Sequence, residues 1–329
     1  MSYSRGILAA CERVISERRS EAERAQAQRI EEVKEKLPGY GALQAKLAST
    51  AADAIRALSA GENAPALMKE ISERNLSAQK EIEDMLEKGG FPRNYTKIAY
   101  TCPKCSDTGY AGGNSCSCRL ALLKELALEN LAERTPSGKC SFQNFRLDYY
   151  PDEYDERIGC SPRDRMAKIF EYCKAYADDF DSESESLYFY GATGLGKTHL
   201  LSSIARVVTE KGNNVIFESA SALLRRLEKE RFSNGRGSDY DGAFDEIVKC
   251  DLLIIDDLGS EFSTQFTVSA LYDILNYRVN RDIPVIISSN LSPKEVEENY
   301  NQRIFSRIFG GFTSMYFVGN DIRQIKKNS

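Results

Sequence analysis

The sequence predicts an α/β protein with a parallel five-stranded sheet, preceded by a small helical N-terminal domain and a cysteine-rich module. Short apolar runs alternate with helical stretches from residue 162 onward, which is typical of a parallel sheet covered by helices. A glycine-rich loop joins the first of these runs to a helix. Four closely spaced cysteines precede this region, and residues 1–90 have the pattern of three helices.

Composition excludes several classes of protein. The 329 residues are 42% hydrophobic and 28% charged, as in ordinary soluble proteins, and their number suffices for two or more domains. No stretch approaches the ~20 apolar residues that a membrane span needs, and the charged N-terminus is unlike a signal peptide. We therefore expect a cytoplasmic protein with no membrane partner. Because the net charge is −5, any nucleic acid must be bound by a local basic patch.

The N-terminal region is expected to form three helices. Helix formers with many Glu/Arg pairs extend over 5–37, and helical stretches at 42–60 and 66–88 end at glycines. Their apolar stripes can pack together as a small bundle. This region is either a self-contained helical domain or a partner-binding surface.

The four cysteines form two close pairs separated by ten residues. Zn²⁺ prefers four soft ligands in a tetrahedron, and two thiolate pairs at this spacing can supply them. The expected zinc ligands are Cys102, Cys105, Cys116 and Cys118. Free thiols or a redox pair are the alternatives.

The loop from Gly191 to Thr198 reads GATGLGKT and matches the P-loop pattern G-x-x-x-x-G-K-[ST]. It lies between a strand and a helix, so backbone N–H groups and the helix N-terminus can surround phosphates. Lys197 is expected at the β- and γ-phosphates of ATP, and Thr198 at Mg²⁺. His199, the single histidine, is expected to be packed or capped rather than catalytic. The expected nucleotide contacts are Gly191, Ala192, Thr193, Gly194, Leu195, Gly196, Lys197, Thr198 and His199.

Two carboxylates, Asp256 and Asp257, end the apolar run DLLIIDD. On a buried strand this is the Walker B arrangement, in which Asp256 would hold Mg²⁺ through water and Asp257 would orient or deprotonate the attacking water. A later strand ends at Asn290, whose amide is expected to sense the γ-phosphate or hold the lytic water. Asn290 could equally be just a turn residue.

Together, the segments GATGLGKTHL, DLLIIDDLGSE, IISSN and QRIFSRIFGG resemble the helicase-loader branch of the AAA+ ATPases, the bacterial DnaC/DnaI type and the related IstB type. The resemblance covers about residues 160–329 and implies an AAA+ P-loop domain whose helical lid is absent or vestigial. It also implies that ATP lies between subunits, where an arginine of one reaches the γ-phosphate of the next. Here that arginine is Arg307, with Arg303 close by, and Arg323 matches the second sensor arginine. The sequence departs from the resemblance at Asp257, where many AAA+ proteins carry Glu, and this shorter acid would lie farther from the water, so we expect slow turnover.

The segment between the second and third strands is longer than a plain crossover and carries a basic strip. The resemblance implies that an extra helix here faces single-stranded DNA in a ring channel. The expected DNA contacts are Arg225, Arg226, Lys229 and Arg231. A solvated amphipathic helix explains the same charges equally well.

These features divide the chain into four expected parts: residues 1–95 as a helical partner-binding domain, 96–128 as the zinc module, 129–161 as a linker and 162–329 as the AAA+ ATPase domain. The resemblance implies an ATP-dependent loader of a replicative helicase, with ATP, Mg²⁺ and Zn²⁺ as cofactors and with slow, assembly-dependent hydrolysis. Its partners would be a DnaB-type hexameric helicase, single-stranded DNA and further copies of the chain assembled through the ATP site. An IstB-like transposition ATPase and a scaffold that scarcely hydrolyses its ATP are the alternatives.

Overall fold

The structure is a computed structural model that describes residues 3–58, 64–135, 140–233 and 242–327. The chain forms two compact units. One comprises Glu12–Leu120, and the other comprises Ala121–Ser329 together with the first eleven residues. Within the described parts, no helix is both long enough and apolar enough to cross a membrane.

Three helices form the N-terminal region, as predicted. They are α1 (Arg5–Lys36), α2 (Tyr40–Leu58) and α3 (Ala64–Lys88). Gly39 adopts a φ of 99°, which allows the chain to turn sharply between α1 and α2. Val33, Tyr40 and Leu86 are almost fully buried and form the centre of a small apolar core. The bundle is thus stabilised by apolar burial rather than by the exposed ion pairs along α1.

A short hairpin and the start of a helix carry the cysteines. Strands β1 (Tyr110–Ala111) and β2 (Asn114–Ser115) pair antiparallel across Gly112 and Gly113, whose φ values of 59° and 80° suit a two-residue hairpin turn. Helix α4 (Ser117–Arg134) follows. The turn brings the second cysteine pair back toward the first, since the Cys116 N–H donates to the Gly109 carbonyl at 2.8 Å.

The ATPase region is a parallel sheet between helical layers. Its elements are α5 (Pro162–Asp179), β3 (Ser186–Tyr190), α6 (Lys197–Glu210), β4 (Val215–Ser219), α7 (Ala220–Ser233), α8 (Ala243–Lys249), β5 (Leu252–Leu258), α9 (Gln265–Val279), β6 (Val285–Ser289), α10 (Pro293–Tyr300), α11 (Gln302–Gly311), β7 (Phe312–Tyr316) and α12 (Ile322–Lys327). Among the described residues, five parallel strands have the order β4-β5-β6-β3-β7. The predicted fold class is confirmed.

Burial on both faces explains why the central strands are continuous apolar runs. Along β5, Leu253 and Ile255 pack against α7, α8 and α9, whereas Leu252 and Ile254 pack with α5 and α6. Strands β5, β6 and β3 are neighbours, so their carboxyl ends meet at one edge of the sheet. The Walker B carboxylates, Asn290 and the P-loop are thereby brought together.

The final strand differs from its prediction. The sequence predicts a strand in the apolar run at 315–318, whereas the strand extends over Phe312–Tyr316. Its polar residues Thr313 and Ser314 are exposed, because β7 is an edge strand whose outer side faces solvent. Phe317 and Val318 are buried after the strand ends, so their apolar character misled the assignment.

Of the segment expected to be a linker, 129–134 belongs to α4, and 140–161 packs on the ATPase core. It forms 3₁₀ helices at Phe142–Asn144 and Leu147–Tyr149. Tyr150 is 1% exposed, and the ring of Phe145 stacks on that of Phe170 at 5.4 Å. This part of the segment is therefore not a solvated arm, because burial of its aromatic side chains against the core is favourable.

Candidate nucleotide and metal sites

Glycines let the P-loop curl tightly between β3 and α6. Gly191, Gly194 and Gly196 all have positive φ values. A Cβ atom on Gly194 would lie 2.0 Å from a carboxylate oxygen of Asp321 and would have to displace that side chain, and the φ of 76° would strain any larger residue there. The Gly194 carbonyl accepts from the Ile322 N–H at 3.0 Å, which fixes the start of α12 against the loop.

Lys197 is held inside the loop by three acceptors. Its Nζ donates to the carbonyls of Gly191 and Ala192 at 2.6 and 2.7 Å, and to Asn290 Oδ1 at 2.8 Å. Burial lowers the pKa of Lys197 to about 8, because removing water disfavours the ammonium. The lysine is therefore oriented by neutral groups that phosphate oxygens can replace.

Thr198 and Asp256, the two residues expected to hold Mg²⁺, are hydrogen-bonded to each other. Thr198 Oγ1 donates to Asp256 Oδ2 at 2.9 Å, and Ser288 Oγ also donates to the Asp256 carboxylate. Burial raises the pKa of Asp256. Mg²⁺ prefers hard oxygen ligands, which the hydroxyl and the carboxylate can provide. Ser288 was missed from the sequence, although it lies two residues before the predicted Asn290.

Asp257 and Asn290 extend the same hydrogen-bond chain. Asp257 adopts a φ of 59° where the β5–β6 register shifts, and its N–H donates to Ser288 Oγ at 2.8 Å. Asn290 Nδ2 donates to Asp257 Oδ1 at 2.8 Å, while its own Oδ1 accepts from Lys197. Asn290 thus bridges the lysine and the second carboxylate.

A cavity of about 520 Å³ contains these groups. Such a volume is within the usual range for a small-molecule site. The predicted residues that line it are Thr193, Gly194, Leu195, Gly196, Lys197, Thr198, His199, Asp256, Asp257, Asn290 and Arg323. Gly191 and Ala192 contribute instead through the carbonyls that hold Lys197.

One wall of this cavity was not predicted. It includes Asn144, Phe145, Arg146 and Tyr149, from the packed segment before α5. The Ser141 carbonyl lies 2.9 Å from His199 Nε2. The ring of Phe145 meets the His199 ring edge-on at 5.2 Å, so the histidine is packed, as expected. The density of aromatic residues in FQNFRLDYY was the available signal.

The three candidate arginines occupy different places. Arg323, at the start of α12, lines the cavity and is exposed. Arg307 on α11 is partly buried and donates to the side-chain oxygens of Asn276 and Asn280, outside the cavity lining. Arg303 is exposed one turn earlier on α11. Of the three candidates, then, only Arg323 lines the cavity of its own chain.

The basic strip on α7 is smaller than predicted. Arg225, Lys229 and Arg231 are exposed, and the guanidinium of Arg231 lies over the ring of Phe266 at 5.3 Å. Arg226 is instead partly buried and pairs with Glu218 at 3.2 Å and with Glu246 at 3.8 Å. Its assignment to the exposed strip was wrong, because the helix turns this side chain toward β4 and α8.

The four cysteines converge as the sequence predicted. Their sulfur atoms all lie within 4.8 Å of one another, and Cys102 Sγ lies 3.8 Å from Cys116 Sγ. A tetrahedral zinc site with Zn–S bonds of about 2.3 Å requires sulfurs roughly 3.8 Å apart. The buried carboxylate of Asp107 accepts from the N–H groups of Thr101 and Cys102, each at 2.8 Å, and so fixes the first turn. The cluster is compatible with Zn²⁺.

Comparison with known proteins supports the ATPase assignment. Residues 162–315 match the family model of the bacterial DnaA ATPase domain. The replicative helicase loader DnaC of Buchnera aphidicola subsp. Acyrthosiphon pisum is 23% identical over 191 residues, which cover 58% of this chain and 72% of that protein.

Two solved structures are also similar. The crystal structure of DnaI is 21% identical, covers 59% of this chain and 92% of its own, and has a TM-score of 0.43. The crystal structure of the DnaC helicase loader is 21% identical, covers 54% and 98%, and has a TM-score of 0.43. With the P-loop site and the sequence matches, residues 162–315 are identified as an AAA+ ATPase domain related to bacterial DnaA and to the DnaC-type helicase loaders.

Proposed function

We propose that this protein is an ATP-dependent loader of a replicative DNA helicase. The observation that carries the proposal is one hydrogen-bond chain that links Lys197, Asn290 and Asp257 at the P-loop. It joins the residues that would bind the nucleotide to those that would act on the γ-phosphate. The loading role is inferred from the similarity to proteins named replicative helicase loader DnaC.

In the proposed reaction, ATP binds with its phosphates along the P-loop and the N-terminus of α6. Lys197 exchanges its carbonyl partners for the β- and γ-phosphates, while Thr198 and Asp256 hold Mg²⁺. Mg²⁺ would supply charge neutralisation at the phosphates when bound. Asp257 orients the attacking water or accepts its proton, Asn290 contacts the γ-phosphate, and Arg323 contacts the nucleotide from α12.

The site is completed by a second copy of the chain in this proposal. Arg307 lies outside the cavity of its own subunit, so it would reach the γ-phosphate of a neighbour. Hydrolysis therefore requires assembly, and ATP binding favours it. We infer that this assembly is the switch between helicase-bound and released states.

The exposed basic residues of α7 would contact single-stranded DNA through its phosphates. Zn²⁺ would be held by Cys102, Cys105, Cys116 and Cys118 in a closed structural site. The N-terminal helical bundle would bind the helicase, since its described part carries no catalytic constellation. The predicted domain boundaries remain part of this proposal.

A direct experiment tests the ATPase mechanism. Lys197→Ala should abolish ATP binding, whereas Arg307→Ala should retain binding by the isolated subunit and lose hydrolysis. Arginine fingers contribute about 10³–10⁵-fold to turnover in other enzymes, so the effect should be large. Turnover per subunit that is independent of protein concentration, together with a harmless Arg307→Ala, would contradict the shared site.

A scaffold with scarcely any hydrolysis is the second candidate. The observation in its favour is that Asp257 has a short side chain whose Oδ1 already accepts from Asn290. Turnover per bound ATP distinguishes the two functions: the loader releases ADP on assembly, and the scaffold keeps intact ATP.

A further inference from the structure

Two asparagines hold the guanidinium of Arg307. Nη2 donates to Asn276 Oδ1 at 2.5 Å, and Nη1 donates to Asn280 Oδ1 at 2.9 Å. Asn280 Nδ2 also donates to Asn276 Oδ1 at 3.2 Å, so the two amides support each other. Asn276 lies in the last turn of α9 and Asn280 directly follows that helix, at the i, i+4 spacing that places both on one face.

The opposite face of this turn is fixed in the core. Arg278 is 0% exposed and donates to the carbonyls of Ile247, Cys250 and Pro284 at 2.9, 2.9 and 2.6 Å. These bonds join the last turn of α9 to the end of α8 and to the approach to β6. The platform that carries the asparagines is therefore rigid, which is what positioning of a long, flexible arginine requires.

The two acceptors of Arg307 are neutral amide oxygens rather than carboxylates, and this difference determines how freely the arginine can bind a phosphate. A carboxylate pairs with arginine in a charge-assisted, often bidentate contact that competes with phosphate for the same N–H groups. An amide oxygen orients the guanidinium while leaving its full positive charge. Arg226, another partly buried arginine of the same domain, pairs instead with the carboxylates of Glu218 and Glu246.

We propose that Asn276 and Asn280 are positioning residues that orient Arg307 for the neighbouring subunit's γ-phosphate without neutralising it. The inference rests on the proposed function, in which Arg307 acts in the next subunit. It also selects Arg307 over Arg303, because the Arg303 side chain makes no hydrogen bond or ion pair with the described residues. Arg303 would contribute positive charge, but its side chain would have no fixed orientation.

Subunit mixing isolates this role from effects on a subunit's own ATP site. Arg307→Ala gives a receiver that binds ATP but lacks the arginine, and Lys197→Ala gives a donor that carries the arginine but binds no ATP. Neither hydrolyses ATP alone, whereas their mixture should do so. The tested donor carries Asn276→Asp and Asn280→Asp in addition to Lys197→Ala.

The activity restored by the aspartate donor should be lower than that of the parent donor by about tenfold or more. Hydrogen bonds to charged groups are stronger than neutral ones, so the aspartates would hold Arg307 against transfer to the γ-phosphate. A donor with Asn276→Ser and Asn280→Ser should also restore less activity, because Arg307 loses its orienting acceptors. This variant adds no charge, so it tests the inference even if the aspartate donor fails to fold. Asn299→Asp in the donor is the control for a negative charge added elsewhere on the exposed surface, and it should restore full activity. Thermal melting verifies that each donor is folded.

Equal activity with the aspartate and parent donors would overturn the inference, as would an equal loss with Asn299→Asp. A mixture of the receiver and the parent donor that stays inactive would instead overturn the shared ATP site. The two failures are therefore distinguishable.

Discussion

At the scale of single residues, Lys197 shows how burial can make nucleotide binding depend on pH. Its ammonium is surrounded by loop carbonyls and the Asn290 amide, and its pKa is lowered from 10.5 to about 8 by loss of solvent. Bound phosphates favour the charged lysine, so they would raise this pKa again.

We therefore expect ATP affinity to fall as pH rises above about 8. In that range the nucleotide-free lysine has lost its proton, and ATP binding must take one up, which weakens binding by up to about tenfold per pH unit. Nucleotide titrations between pH 7 and pH 9.5 measure the effect. Lys197→Arg is the control, since arginine stays protonated throughout, and an equal decline in both proteins would contradict the prediction.

At the scale of structural elements, the cysteine hairpin should depend on its metal. A two-stranded hairpin of this length buries too little to be stable alone, so four zinc–thiolate bonds would supply the missing stabilisation. The purified protein should contain one Zn²⁺ per chain, and metal analysis below about half an equivalent without chelator would contradict this.

Cys105→Ser should release that zinc and unfold the module. ATP affinity should be unchanged, because Cys105 and the P-loop lie in different compact units. Cys160→Ser is the matched control, since Cys160 lies outside the cluster, and it should keep its zinc. Simultaneous loss of zinc and ATP binding in Cys105→Ser would show that the units are not independent.

Helix α7 should contact DNA through its exposed cations. Arg225→Glu with Arg231→Glu should weaken binding of an oligonucleotide in the presence of ATP and reduce the salt dependence of the affinity by about one unit per lost phosphate contact. Two matched reversals, Arg206→Glu on α6 and Lys249→Glu on α8, should have little effect, since both side chains are exposed and already paired with acids on their own helices. Fluorescence anisotropy over a salt series measures both quantities. An unchanged salt slope would exclude α7 from the interface.

At the scale of the whole molecule, the sequence predicted a functional site wherever the chemistry of that site requires one particular residue type. The P-loop glycines, the Walker B carboxylates and the cysteine pairs each require a particular side chain at a particular spacing, so the sequence predicted where they converge. Ser288 and the cavity wall that includes Phe145 were missed, because any short hydroxyl side chain or packed aromatic ring can occupy these positions. Arg226 was misassigned because helical charge alone does not distinguish a side chain facing solvent from one facing Glu218.

The division of labour between the two units gives the broadest expectation. Lys197→Ala removes the phosphate contact but leaves the N-terminal bundle unaltered. This variant should still co-elute with the helicase while it fails to release it onto DNA. Loss of co-elution would mean that helicase binding itself requires ATP.

Transfer of the host's replicative helicase onto a closed circle of single-stranded DNA tests the central claim most directly. With ATP and the wild-type chain, helicase bound per circle should rise well above the level reached by helicase alone, and Lys197→Ala should leave it at that level. If the wild-type chain leaves the amount of bound helicase unchanged, or if Lys197→Ala loads it equally well, the protein is not an ATP-dependent helicase loader.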